Sequence, residues 1–427
     1  MSVETIFALS SGAPPAGIAV IRVSGPQAAV ALRALSGAVP EPRRARLASL
    51  RDSAGELLDR ALVLWFPGPA TATGEDLAEF HLHGGRAVVA AVEAALAALP
   101  GLRRAQAGEF TRRAFANERM DLAEAEGLAD LLSAETELQR RAAMSMAGGT
   151  LSRQVEGWRE RLLMLSAKVE ADLDFGDEDD VIQAPLDMRP DLETLAGELE
   201  AALDAPSAVL LKEGFRVALA GPPNAGKSTL FNALVDSEAA ITSPIAGTTR
   251  DILTRSVAIE GVPLTFVDMA GLRGETTDAI EALGIERAGA EMERADLVLW
   301  LGLQEQCPDG AWDIAAQCDR EDTSLKVSPR LTVSAVTGEG LAALRRAIVD
   351  EARTRMPKPG EVAITQRQRA LLEDAASELR SAIGGAVDPL IVAEQLRLVR
   401  LAFDRLVGRS STEDVLDALF GRFCIGK

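Results

Sequence analysis

Short apolar runs broken by turn residues open the chain. Thr5-Ile6-Phe7-Ala8-Leu9 and Gly17-Ile18-Ala19-Val20-Ile21-Arg22-Val23 flank a segment rich in Ser, Gly and Pro, which predicts two strands joined by a loop. Leu62 to Phe66 and Leu77 to Leu82 read as further strands, and residues 86 to 99 as a helix ended by Pro100-Gly101. Residues 1–120 are therefore expected to form an α+β domain.

The period changes at Asp121. Leu122, Ala125, Ala129 and Leu132 recur at helical steps, and similar spacing runs to about Leu173. Gly176 to Asp180 is an acidic break that reads as a solvated loop, and a helix over about 190–212 leads to Gly214. Strand and helix signals then alternate, with strands expected at Phe215–Ala220, Leu264–Val267, Leu297–Leu301 and Arg330–Val333. Pro357-Lys358-Pro359-Gly360 marks a boundary, and the remainder is helical. The expected plan has four segments: an N-terminal domain (1–120), a first helical half (121–213), an α/β domain (214–356) and a second helical half (357–427). The α/β domain would be inserted between two halves of one helical domain.

Composition narrows this further. At 427 residues the chain is too long for one core. An apolar fraction of 47% and a charged fraction of 26% are ordinary for a globular protein. No apolar run long enough for a membrane span occurs, and the first residues lack the positive lead of a secretory signal, so no membrane and a cytoplasmic location are expected. Three separated cysteines, Cys307, Cys318 and Cys424, give neither a zinc spacing nor a disulfide framework. The two histidines, His81 and His83, share a strand face and read as structural. A net charge of −19 confines any nucleic-acid contact to a local patch.

Gly221-Pro222-Pro223-Asn224-Ala225-Gly226-Lys227-Ser228 carries the chemistry most plainly. It fits G-x-x-x-x-G-K-[ST] between a strand and the helical run Thr229 to Leu234. Glycines let backbone N–H groups converge on phosphate oxygens, and the helix N-terminus adds positive potential. Lys227 would neutralise the terminal phosphates, and the Ser228 hydroxyl would ligate Mg²⁺. Asp268-Met269-Ala270-Gly271 follows the strand 264–267, with Asp268 placed for Mg²⁺ through water and the Gly271 amide for the γ-phosphate. Between the two motifs, Gly247-Thr248-Thr249 offers a threonine, Thr249, that completes the Mg²⁺ shell.

This set resembles the GTPase branch of phosphate-loop proteins. Ser334-Ala335 resembles its second base-contacting loop. An intact N-K-x-D is absent; Ala316-Gln317-Cys318-Asp319 stands in its place, with Asp319 able to accept the guanine N1 and N2 protons. Leu272 occupies the position where Ras-type enzymes carry a water-orienting Gln, so another group must act, with Asn224 and Glu281 the polar candidates and Arg250 and Arg273 nearby charges.

Across its whole length the chain is similar to the MnmE (TrmE) family of tRNA-modification GTPases. The likeness is carried by Thr5-Ile6, Gly17 to Gly25, Thr73-Gly74-Glu75-Asp76, His83-Gly84-Gly85, Gly108 to Phe115, Asp121 to Glu126 and the ending Phe423-Cys424-Ile425-Gly426-Lys427. The resemblance implies a GTP- and GDP-binding site over Asn224 to Thr229, Ser243-Pro244-Ile245-Ala246-Gly247-Thr248-Thr249, Asp268 to Gly271, Asp319, Ser334 and Ala335. It implies K⁺ held by Asn224, Ser243, Ile245 and Thr248, where a cation spreads charge over the bridging oxygen. Glu281 is implied to position the attacking water, with Asn224 and Lys227 as the other catalytic residues. A 5-formyl-tetrahydrofolate or related folate is implied at Arg22, Glu79, Arg119 and Lys427, with Arg119 where the family usually has Lys, and Cys424 close by at a flexible end. The resemblance further implies a homodimer and an FAD-dependent partner of the MnmG (GidA) family. The implied product is C5 (carboxymethyl)aminomethylation of wobble uridine 34 in tRNA. A ribosome-assembly GTPase, or a nucleotide-dependent scaffold with slow turnover, are the alternatives.

Overall fold

The computed structural model describes residues 4–175, 188–204, 208–236, 239–240, 253–269, 289–319, 326–358, 362–384, 388–410 and 412–427. The chain divides into two compact units: Met1–Ala129 with Ser152–Gly157 and Leu401–Lys427, and Asp130–Leu151 with Trp158–Arg400.

In the first unit, β1 (Thr5–Leu9), β2 (Ile18–Ser24), β3 (Arg46–Arg51), β4 (Leu57–Phe66), β5 (Leu77–His83) and β6 (Leu102–Arg104) form one sheet in the order β3-β4-β5-β2-β1-β6. All neighbours run antiparallel except β1 and β6. Alternation along the strands sorts the side chains into two faces. Phe7, Ile21, Val23, Phe80 and Leu82 point to α1 (Ala28–Ser36) and α2 (Arg86–Ala97), whose Leu32, Leu35, Val92 and Leu96 complete that core. Ile6 and Ala8, on the opposite face, pack with Ala105 and with Phe110 of α3 (Glu109–Ala116).

Helix α4 (Leu122–Leu132) begins in this unit, where Leu122 and Ala125 cluster with Leu419, Phe420 and Phe423 near the chain's end. The tail is pinned rather than flexible. Ile425 bridges to Ala107, and Gly426 adopts φ 95° with its Cα against Leu9, where an added Cβ would stand 2.0 Å from the Leu9 carbonyl oxygen. Only glycine fits that position.

The helical signal from Leu122 to Leu173 resolves into α4, α5 (Glu137–Ala147) and α6 (Thr150–Phe175). The breaks have local causes. Thr136 caps α5 through a capping box with Gln139, and Gly148-Gly149 ends it. The helix expected over 190–212 is two helices, α7 (Arg189–Leu203) and α8 (Ala208–Glu213). Pro206 lies between them and offers no N–H to a continuing helix. The acidic segment Gly176–Asp180 lies outside the described residues.

The second unit holds a sheet in the order β13-β12-β11-β7-β10-β9-β8. Its strands are β7 (Phe215–Ala220), β8 (Ala239–Ala240), β9 (Leu253–Ile259), β10 (Val262–Asp268), β11 (Leu297–Trp300), β12 (Trp312–Ala315) and β13 (Leu331–Thr332). The five strands β7, β10, β11, β12 and β13 are parallel, and β8 and β9 add an antiparallel edge. The strand expected over Arg330–Val333 is confined to Leu331–Thr332. All seven β10 residues are buried, as the near-continuous apolar run of a central strand requires. Helices α9 (Lys227–Val235) and α10 (Leu341–Arg355) pack on one face through Leu230, Phe231, Leu234, Leu344 and Ile348. Two further helices, α11 (Gln366–Gly384) and α12 (Pro389–Val407), precede the last helix, α13 (Glu413–Phe420). Among the described residues, no helix is long and apolar enough to cross a membrane.

Candidate functional site

Parallel strands place their following loops at one end of a sheet, and ligands of such sheets bind there. Leu219 of β7 pairs with Asp268 of β10 and Leu299 of β11, so the loop after β7 and the end of β10 are neighbours. The loops after β12 and β13 leave the same end.

The loop after β7 turns through left-handed backbone at Asn224 (φ 61°) and Gly226 (φ 89°) before α9 begins at Lys227. Lys227 is buried, and its Nζ donates to the carbonyls of Gly221 (2.9 Å) and Pro222 (2.8 Å). The loop's own backbone therefore holds the ammonium beside the amides that would receive phosphate. Asn224, Ser228 and Thr229 are exposed, and Ala225 and Gly226 are half-buried. Asp268 is buried at the end of β10. Met269 packs its side chain with Ala218 and Ala220, so only its backbone is available to a nucleotide.

A cleft of about 80 Å³ opens beside this loop, lined by Gly226, Thr229, Ala316, Gln317, Asp319 and Ala335 among others. The degenerate segment 316–319 thus meets Ser334-Ala335 at a common site. Ser334 donates from Oγ to Oδ1 of Asp319 at 2.6 Å and accepts the amides of Val336 and Thr337. The Cys318 thiol is pushed up by burial and by the nearby Glu339 and Asp319 charges, which makes it a poor nucleophile. Ser243 to Thr249, Arg250, Ala270, Gly271, Leu272, Arg273 and Glu281 lie outside the described residues.

In the other unit, Arg22 and Glu79 stand opposite each other on β2 and β5. Arg22 Nε donates to Glu79 Oε1 at 2.8 Å, and His81 Nε2 lies 2.9 Å from Glu79 Oε2. Burial alone would raise the Glu79 carboxyl; hydrogen bonds from His81 and Arg22, with the Arg22 charge, outweigh it and hold the group below the usual range. His83 approaches Asp59 at 2.7 Å. On the same sheet face, Ser24 donates to Glu75 at 2.8 Å, and Arg113 bridges Glu75 (3.0 Å) and Glu109 (3.1 Å). The members of this network come from β2, the loop before β5 and α3, so only the tertiary fold brings them together. Arg119 is exposed just past α3. The tail carrying exposed Cys424 and half-buried Lys427 docks at Leu9, whose strand partner Ile21 is next to Arg22.

The phosphate-loop geometry, a carboxylate closing the adjacent parallel strand and the two base-side loops define a phosphate-loop GTPase. Comparison with known proteins extends this to the whole chain. Residues 5–119 match the family model for the GTP-binding protein TrmE N-terminus, and residues 122–424 match that for the MnmE helical domain. The tRNA modification GTPase MnmE of Erythrobacter litoralis is 61% identical over 424 residues, covering 99% of this chain and all of the relative. That of Zymomonas mobilis is 49% identical over 437 residues, again across 99% of this chain and all of the relative. Among solved structures, the G domain of the T. maritima FeoB iron transporter aligns with 32% of this chain and 98% of its own at 25% identity, with a TM-score of 0.24. The chain belongs to the MnmE family of tRNA modification GTPases: it is a GTP hydrolase that acts in tRNA modification.

Proposed function

We propose that the chain hydrolyses GTP in a K⁺-stimulated, Mg²⁺-dependent reaction and uses it to drive C5 (carboxymethyl)aminomethylation of wobble uridine 34, as a cytoplasmic homodimer working with an FAD-dependent MnmG-type partner. The one-carbon unit comes from a tetrahydrofolate bound by the N-terminal α+β domain (1–120). The G domain (214–356) is read as an insertion between helical halves 121–213 and 357–427. The helical-domain family model, whose match runs from residue 122 to 424 and so begins before the G domain and ends after it, supports this.

The observation that carries the hydrolytic reading is the gathering of Lys227, Asp268, Asp319 and Ser334 at one end of the parallel strands. Ser228 and Thr249 would offer Mg²⁺ the hard oxygen donors it prefers, with Asp268 reaching it through water. Bound there, Mg²⁺ would supply positive charge to offset that of the phosphates. Asn224 presents an exposed amide on left-handed backbone, suited to K⁺ with Ser243, Ile245 and Thr248. Glu281 orients the attacking water, and Lys227 holds its charge against the phosphate loop before nucleotide arrives. Asp319 accepts the guanine N1 and N2 protons while Ser334 fixes its second hydrogen-bonding direction.

For the folate, Glu79 is an ionised acceptor whose geometry is set by Arg22 and His81, fit for the paired N–H edge of a pterin. Arg119 and Lys427 supply charge for the glutamyl end, and Cys424 lies on the tail that reaches this face.

The deciding experiment measures hydrolysis in K⁺ and in Na⁺, with GTP and ATP, for the parent and Asn224→Ala. Faster turnover of GTP in K⁺, lost in Asn224→Ala, is expected. Equal rates in the two salts would remove the K⁺ mechanism and favour the slow-turnover scaffold.

A further inference from the structure

The base site lacks the asparagine and lysine of N-K-x-D, yet its loop is firmly placed against the phosphate loop. Gln317 explains how. Its backbone sits at φ 60°, in a region that residues with side chains occupy only when their surroundings hold them there. Its Nε2 donates to the carbonyl of Asn224 at 3.3 Å. Asn224 is itself left-handed, at φ 61°. The Gln317 side chain also lies flat on the phosphate loop: a Cβ added at Gly226 would stand 2.9 Å from its Nε2 and 3.2 Å from its Cγ. Both Gly226 and Gln317 line the cleft that holds Asp319.

We propose that Gln317 is the positioning residue of the base site in this chain, a neutral latch that ties the Asp319 loop to the phosphate loop at Asn224 and Gly226 and so sets guanine discrimination. This rests on Asp319 being the base-reading carboxylate. The physical argument is one of preorganisation. Asp319 gains from guanine only if its carboxylate is already aimed at the N1–H and N2–H edge. Ser334 fixes it from one side. The backbone two residues before it is fixed from the other side, through the Gln317 amide. A loosened loop still covers a purine but no longer distinguishes one that carries the 2-amino group from one that lacks it. A carboxamide reaches the same carbonyl as an ammonium would and brings no charge to the rim, so the tie is weaker than a charge-assisted one.

The test uses the full-length protein and competition binding of GDP, IDP and XDP, with melting temperature recorded in parallel. Gln317→Leu keeps the bulk over Gly226 and removes the donor. It is expected to weaken GDP by about 3- to 10-fold, the worth of one neutral hydrogen bond, and to shrink the GDP-to-IDP affinity ratio, with the melting temperature held. Gln317→Lys restores a donor and is expected to recover both affinity and ratio. The proposal is overturned if Gln317→Leu leaves the ratio at the parent value, whether GDP affinity is kept or falls together with that for IDP. Asp319→Asn tests the underlying reading separately. Its amide should favour the 2-oxo edge of XDP over GDP. A variant without that switch removes Asp319 as the reader, whereas a switch combined with a silent Gln317→Leu removes only the latch.

Discussion

The hydroxyl of Ser334 donates a 2.6 Å hydrogen bond to the carboxylate of Asp319, fifteen residues away in the chain. The two residues follow neighbouring parallel strands, β13 and β12, so the sheet itself brings them together. Removing the hydroxyl in Ser334→Ala also leaves the Val336 and Thr337 amides without their acceptor. Hydrogen bonds to charged groups are worth about 1.5–3 kcal/mol net. GDP affinity is therefore expected to fall by about tenfold or more, read by fluorescence titration, while the fold is retained.

Lys227 is held by two carbonyls of its own loop. Lys227→Ala removes the charge placed against the phosphates and leaves those carbonyls without a cation. Hydrolysis should drop by at least about 100-fold, as when a preorganised electrostatic group is lost from a reacting centre. A single-turnover assay at saturating GTP separates this from weaker binding; an unchanged single-turnover rate would contradict the assignment.

Glu79 gives a pH prediction. Its carboxyl is held below the usual range in the folded protein, so its contribution is present above the unfolded value of about 4.3 and is lost as pH falls through the lower folded value. Glu79→Gln should thus be less stable than the parent at pH 7, and the gap should close below about pH 4. Thermal melts from about pH 3 to about pH 8, a range that spans the carboxylate region, would read this directly. A gap that widens on acidification would mean that Glu79 is protonated in the folded state.

The tail depends on one glycine. At φ 95°, with Leu9 O in the way of any Cβ, Gly426→Ala forces the backbone to move. Strain of this kind costs about 1–3 kcal/mol, which undocking the tail would relieve. Carboxypeptidase should then shorten the variant faster than the parent, with little change in melting of the sheet. Equal digestion would show the tail to be free already in the parent.

Much of this protein was legible in one dimension. The phosphate loop needs a strand, a glycine-rich turn and a helix in sequence, so Gly221 to Ser228 could be read without tertiary information. Four strands of the N-terminal sheet, β1, β2, β5 and the second half of β4, were legible as short apolar stretches bounded by turn residues, whereas β3 and β6, short and carrying Arg46, Arg51, Arg103 and Arg104, were not. Helix limits were less legible, because caps such as Thr136 with Gln139, and breaks such as Pro206, act within one turn and interrupt a periodicity that otherwise continues.

The sequence alone determined which residues can touch phosphate, because that chemistry depends on local backbone shape. It also determined family membership, because many separate segments agree in order. Tertiary structure decided what stands beside what. Strand order brought the Asp268 end of β10 and the loops after β12 and β13 to one end of one sheet. Register set Arg22 opposite Glu79. Close backbone approach gave Gln317 a carbonyl on the phosphate loop and Gly426 a seat on Leu9. Each of these is a contact between residues distant in the chain, whose geometry is fixed by packing and pairing rather than by local preference.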